Sequence, residues 1–189
     1  MNVSETALPG VLLIEPTVHG DARGFFLETS RDNVLAAHGI TGPFVQDNHS
    51  RSGCGVLRGL HYQLARPQGK LVRVARGRVL DVAVDLRRGS PHFGRSLAIE
   101  LDDIDHRQLY IPPGFAHGFL VLSEVADFLY RCTDYYDPAS EGGVRWDDPA
   151  LGIAWPALDA PIRVSDKDAR LPRLADIPPE RLPVHPGAA

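Results

Sequence analysis

Sulfur is scarce in this chain. Its 189 residues hold two cysteines and one methionine, and Cys54 and Cys132 lie far apart with no C-x-x-C spacing. That excludes a disulfide framework and a cysteine-built zinc site, and a reduced, cytoplasmic setting is the expectation. Basic residues are not in excess: 20 Lys and Arg stand against 24 Asp and Glu, for a net charge of -4. Neither nucleic acid nor an anionic membrane is therefore expected as a partner, and any anion site has to be local. No apolar run approaches the ~20 residues of a membrane span. The opening M-N-V-S-E-T-A-L-P-G lacks a basic segment followed by an apolar one, so no export signal is expected. Repeats and low-complexity segments are missing too. There is no G-x-S-x-G, and His61-Tyr62-Gln63 lacks the second histidine of an H-x-H metal strand. Serine or cysteine nucleophiles and metal catalysis are accordingly set aside.

What is present is a chain of short strands. With 43% hydrophobic residues it can fill one core, and a single domain over residues 1–189 is expected. Apolar or alternating runs occur at Val11–Pro16, Phe25–Thr29, Phe44–Ser50, Ser96–Leu101, Gln108–Ile111, Ala116–Leu122 and Ala126–Cys132. In Arg78–Arg87, Leu80, Val82, Val84 and Leu86 alternate with Asp81, Ala83 and Asp85, the pattern of an amphipathic strand. About ten such strands, with glycine and proline spread between them, predict an all-β fold: an antiparallel double-sheet jelly roll around a cavity. Ser30 is placed to cap a helix over Arg31–His38, with Asp32 in its first turn and Gly39 as a left-handed stop. Phe44, Gln46, Asn48 and Ser50 share one strand face, which either lines a cavity or meets solvent. The tail from Ile177, with four prolines, is expected to run extended over the surface or over a partner subunit.

The chemistry centres on Val56–Val74, which holds Arg58, His61 and Lys70 in two β-like runs joined by L-A-R-P-Q-G. Pro67 and Gly69 predict a reversal that lays the second run beside the first and turns a base and two cations toward one pocket. Arg58 and His61 are three residues apart, so an ideal strand would point them to opposite faces; a bulge at Gly59 would bring them together. A surface hairpin with an ordinary half-buried histidine is the plainer account of the same residues. Acid–base catalysis is the chemistry left standing. His61 is the natural base near neutral pH, Lys70 suits a developing oxyanion, and Tyr130 can serve as an acid on the far side of a substrate.

A set of segments then occurs in order: D-A-R-G-F-F (21–26), Q-D-N-H-S (46–50), G-V-L-R-G-L-H-Y-Q (55–63), Q-G-K-L-V (68–72), V-D-L-R (84–87), S-P-H-F-G (90–94), P-P-G-F-A-H-G-F (112–119) and W-D-D-P near Trp146. Together they resemble the dTDP-4-dehydrorhamnose 3,5-epimerase family, over about Pro9 to Leu171. The resemblance implies a cupin-type jelly roll with a few short helices, acting on a dTDP-sugar as a homodimer without cofactor or metal. It implies His61 as the base at C3 and C5, Asp168 as its carboxylate partner, Lys70 near the C4 oxygen, Tyr130 as the opposing acid and His117 in the pocket. Asp166, two residues before Asp168, competes for the dyad position. The same resemblance assigns Arg23, Phe26, Glu28, Gln46, Asn48 and Arg58 to the dTDP portion, which suits arginine forks on a diphosphate and an aromatic face on thymine. Single-carbon epimerases of related dTDP-ketosugars, a non-catalytic nucleotide-sugar module and a metal-dependent cupin are the alternatives.

Overall fold

The computed structural model describes residues 1–187. Thirteen strands are described: β1 (Asn2–Glu5), β2 (Leu12–Glu15), β3 (Val18–Asp21), β4 (Gly24–Leu27), β5 (Gln46–Gly53), β6 (Leu57–Gln63), β7 (Lys70–Arg76), β8 (Arg78–Asp85), β9 (Ser96–Asp102), β10 (Gln108–Ile111), β11 (Phe115–Val121), β12 (Val125–Cys132) and β13 (Glu141–Gly143). The helices are α1 (Asp32–Ala37) and α2 (Asp166–Ala169), with a few 3₁₀ turns. One antiparallel sheet runs β1-β2-β10-β7-β12-β5 and a second runs β13-β6-β11-β8-β9, while β3 and β4 form a separate hairpin. This is the all-β jelly roll that the strand spacing predicts. No helix among the described residues is long and apolar enough to cross a membrane.

Three apolar layers hold it. Between the sheets, Val72, Val74, Leu109, Ile111 and Phe128 meet Val79, Ala83, Leu101, Phe115, Phe119 and Val121. On the outer face of the five-stranded sheet, Leu57, Leu60, Leu80, Val82, Val84 and Leu120 are covered by the chain from Val144 to Leu182. On the outer face of the six-stranded sheet, Ile14, Leu71 and Tyr110 are covered by Leu35 of α1 and Ile40. The tail runs over the surface of its own chain in its described part, but a 3₁₀ turn at Pro179–Arg181 interrupts the extended course that was expected, and Ile177 and Leu182 anchor it to the second layer.

Four local expectations are corrected. β6 and β7 do not pair: β6 lies between β11 and β13, and β7 between β10 and β12, so the link between them crosses from one sheet to the other. Pro67 and Gly69 signal a reversal but carry no information about which sheet receives the next strand. β8 is not half-solvated, since every residue after Arg78 is buried. Its Leu80 face meets the C-terminal cover and its Asp81 face looks between the sheets. Ser30 does not cap α1; Arg31 stands at the N-cap with no side-chain bond, and the Ser30 hydroxyl instead accepts from Arg131 Nη1 at 3.1 Å. Phe44 precedes β5 and lies under the Arg131 guanidinium, 4.7 Å from ring centroid to cation.

The bulge at Gly59 is real. The β6–β11 register pairs His117 with His61 but Phe119 with Arg58, which puts one extra residue on β6 opposite Gly118. Gly59 has φ +126°, and a Cβ there would stand 2.6 Å from the Gly118 Cα and 2.9 Å from the His117 carbonyl oxygen. Only glycine satisfies both demands. Gly59→Ala is expected to destabilise the fold by about 3 kcal/mol, measured as a lower denaturant midpoint at unchanged slope; an unchanged midpoint would contradict the close approach.

Candidate active site

Toward one end of the sandwich the inner faces turn polar. Gln46, Asn48 and Ser50 alternate inward from β5, with Asp47, His49 and Arg51 exposed on the other face. They meet Lys70 from β7 and Tyr130 from β12, while β6 and β11 present Arg58, His61 and His117 from the opposite sheet. Arg58, His61, Lys70, His117, Tyr130, Asp168 and Ser50 line a cavity of about 550 Å³. A second chamber of about 290 Å³ shares His61, Lys70 and Tyr130 and adds Gln46, Asn48, Tyr136 and Glu141. The Gly59 bulge sets Arg58 and His61 on one face, as strict alternation would not.

His61 is held by Asp168. Its Nε2 donates to Asp168 Oδ1 at 2.7 Å, and Asp168 Oδ2 accepts the Gly59 N–H at 3.1 Å. Asp168 is only 4% exposed, on the short helix α2, where its N–H donates to the capping hydroxyl of Ser165. Asp166 is exposed and makes no such contact. Burial pushes the Asp168 carboxyl upward, but the bonds from His61 and Gly59 outweigh it and hold the group below its usual range. A carboxylate there fixes the ring tautomer and stabilises an imidazolium, the arrangement a proton-abstracting histidine needs.

The facing groups are set differently. Burial lowers the Lys70 ammonium from its ordinary value, opposed by Cys132, Asp81 and Glu141. Burial raises the Tyr130 phenol, so it stays a proton donor well above neutral pH, with Arg58 pulling the other way. Burial likewise lowers His117, whose Nε2 donates to Asp81 Oδ2 at 2.9 Å. Arg58 donates to Ser52 Oγ from Nε and Nη2 at 3.1 and 3.0 Å. Gln46 and Asn48 bond each other at 3.0 Å.

The remaining expected residues lie elsewhere on the protomer. Arg23 and Phe26 sit on the β3–β4 hairpin, where Arg23 pairs with Asp21 and Phe26 is 72% exposed. Glu28 pairs with Arg31. None of the three borders the cavity formed by this chain. Three groups at the cavity were not foreseen from sequence. Glu141 on β13 accepts from Lys167 Nζ and, at 2.8 Å, from the Tyr136 hydroxyl. Lys167 was within reach of inference, because it adjoins Asp168 in S-D-K-D; Tyr136 and Glu141 lie in an irregular stretch without periodicity.

Asp168→Asn is expected to lower turnover by ~10²–10⁴ through loss of the dyad, whereas Asp166→Asn leaves turnover at the parental level. Steady-state rates of the two variants check this, and equal losses would contradict the assignment.

Residues 5–176 match the family model described as dTDP-4-dehydrorhamnose 3,5-epimerase. The chain is 53% identical to the dTDP-4-dehydrorhamnose 3,5-epimerase of Pseudomonas aeruginosa, over 93% of this chain and 97% of that one. The crystal structure of the Legionella pneumophila dTDP-6-deoxy-D-glucose-3,5-epimerase, in complex with dTDP-4-keto-L-rhamnose, superposes with TM-score 0.94 at 50% identity, covering 97% and 98% of the two chains. A 3'-monoepimerase from Streptomyces bikiniensis, in complex with dTDP-quinovose, superposes with TM-score 0.87 at 38% identity, covering 95% and 91%. By sequence over nearly its whole length and by backbone, the chain belongs to the dTDP-4-dehydrorhamnose 3,5-epimerase family.

Proposed function

We propose that this enzyme inverts dTDP-4-dehydro-6-deoxy-D-glucose at C3 and C5 to give dTDP-4-dehydro-L-rhamnose, in deoxysugar biosynthesis. The observation that carries the mechanism is the opposition of His61 on one sheet, held by Asp168 of α2, and Tyr130 on the other, with Lys70 of the Tyr130 sheet reaching into the same cavity. Each target carbon adjoins the C4 ketone, so its proton is acidified by delocalisation of the resulting carbanion onto the C4 oxygen. His61 takes that proton and Asp168 stabilises the imidazolium. Lys70 interacts more strongly with the enolate than with the neutral ketone, so it lowers the barrier rather than merely binding substrate. Tyr130 returns a proton to the opposite face, and inversion follows. Arg58, Gln46 and Asn48 serve the nucleotide, with His117 beside the sugar.

We also propose that the chain works as a homodimer. Phe25 and Phe26 are 62% and 72% exposed on a hairpin that joins neither sheet. A second copy that covers them accounts for their exposure and brings Arg23, Phe26 and Glu28 to a cavity they do not reach within their own chain. Two free thiols, Cys54 and Cys132, fit a reducing cytoplasm.

His61→Ala is expected to abolish turnover and the exchange of carbon-bound protons with solvent deuterium. Tyr130→Phe keeps base and cation, so exchange persists while inversion falls by ~10²–10⁴. Nuclear magnetic resonance of substrate in heavy water reads both, and label at C3 alone would point to a single-carbon epimerase. Parental exchange in folded His61→Ala would overturn the assignment. Sedimentation at micromolar concentration is expected to give a dimer; a monomer would remove the second proposal.

A further inference from the structure

Behind the cavity wall lies a carboxylate that the mechanism above leaves unused. Asp81 projects from β8 into the space between the sheets and is 0% exposed. Its Oδ2 accepts from His117, yet its Oδ1 is buried without a partner among the described residues. A half-satisfied buried carboxylate is costly, and an apolar residue at 81 would continue the Val79–Ala83 face into the core. Its presence calls for a charge nearby that needs it.

Two groups meet that description. His117 stands on β11 directly opposite both His61 of β6 and Ala83 of β8, and its ring stacks 5.9 Å from Phe128 of β12. Lys70 enters from β7 and shares the cavity with both histidines. Lys70 faces Cys132 and Tyr130 on β12, Glu141 on β13, His61 and His117 on β6 and β11, and Asp81 on β8. His117 and Lys70 repel one another if both are charged, and Asp81 attracts both.

Resting on the epimerase reading, we propose that Asp81 is a positioning residue: it holds the proton of His117 on Nε2 and supplies the buried counter-charge that keeps the Lys70 ammonium facing the ketone. Asp168 does this for the base, and Asp81 does it for the electrophilic side of the same cavity. With Nε2 committed to Asp81, a neutral His117 carries its lone pair on Nδ1. His117 is then an acceptor for a sugar hydroxyl and not a donor to the ketone, and that donation falls to Lys70 alone.

The test is Asp81→Asn, which keeps shape and removes charge. In the folded variant kcat is expected to fall about 10²-fold, with KM within about threefold, since the ground-state nucleotide contacts are untouched. Loss of a neighbouring anion lets Lys70 lose its proton at lower pH, so the alkaline limb of the kcat/KM profile moves to lower pH. Asp81→Glu, which retains the charge, is expected to keep the parental limb. An unmoved limb in folded Asp81→Asn would overturn the proposal and leave Asp81 a structural group. Nitrogen-15 shifts of His117 in the parent protein give a readout that needs neither substrate nor a folded variant. The Nε2–H tautomer is expected, and the Nδ1–H tautomer would overturn the proposal. If the parent lacks epimerase activity, the functional reading fails on its own, and the tautomer still decides whether Asp81 orients His117.

Discussion

The carboxylate of Asp168 ties together three parts of the molecule that are otherwise independent. One oxygen holds His61, the other accepts the backbone N–H of the Gly59 bulge, and its helix sits in the C-terminal stretch that covers the outer face of the five-stranded sheet. Loss of that group would free the base, leave a buried N–H unpaired and loosen the cover at one point. Local charge, backbone irregularity and tertiary packing thus converge on one side chain. For that reason the base lies in a bulged strand rather than a regular one: the N–H released from the ladder is the one that Asp168 binds.

The sandwich interior divides into two regions of opposite character. Where Val72, Val74, Phe128, Phe119 and Val121 interdigitate, burial of apolar surface stabilises the fold. Farther along, the inward positions carry Lys70, Tyr130 and His117, each of which costs desolvation, with His61 beside them. The same strands carry both regions, with β6 bulged at Gly59 between them, so the apolar part anchors the geometry of the polar part. Phe128 and Tyr130 are two residues apart on β12, with rings 6.1 Å apart, and Phe128 stacks on Phe119 at 4.0 Å. The acid is therefore braced by the core itself, and a site built on strands in this way varies less in geometry than one built on loops.

Burial acts on the members of the site in different directions, which is how one cavity holds a base, a cation and an acid together. It presses the Lys70 ammonium toward neutrality and the Tyr130 phenol away from ionisation. Asp168 resists the same pressure because it receives two hydrogen bonds. Groups of different ordinary pKa, placed in one low-dielectric space, are separated by their partners rather than by distance.

The sequence by itself determined the strand content, the antiparallel class, the family and the residue types at the centre of the site. Period-two alternation in Gln46–Ser50 and the ordered motifs around His61, Lys70 and His117 are local signals, and local signals survive in one dimension. The parity problem between Arg58 and His61 was legible too, since glycine at 59 was the one residue able to host the irregularity. Only the tertiary structure decided which strands are neighbours. A turn motif such as L-A-R-P-Q-G reverses direction whether the next strand joins the same sheet or the other, because the choice depends on partners far along the chain, β10 and β12 for Lys70 and β11 and β13 for His61. It also decided that the Asp81 face of β8 looks inward, because the later segment from Val144 to Leu182 covers the apolar face that solvent would otherwise meet. And it separated Asp168 from Asp166, two carboxylates equal in sequence, because one turn of α2 aims one of them at the bulge and leaves the other in water.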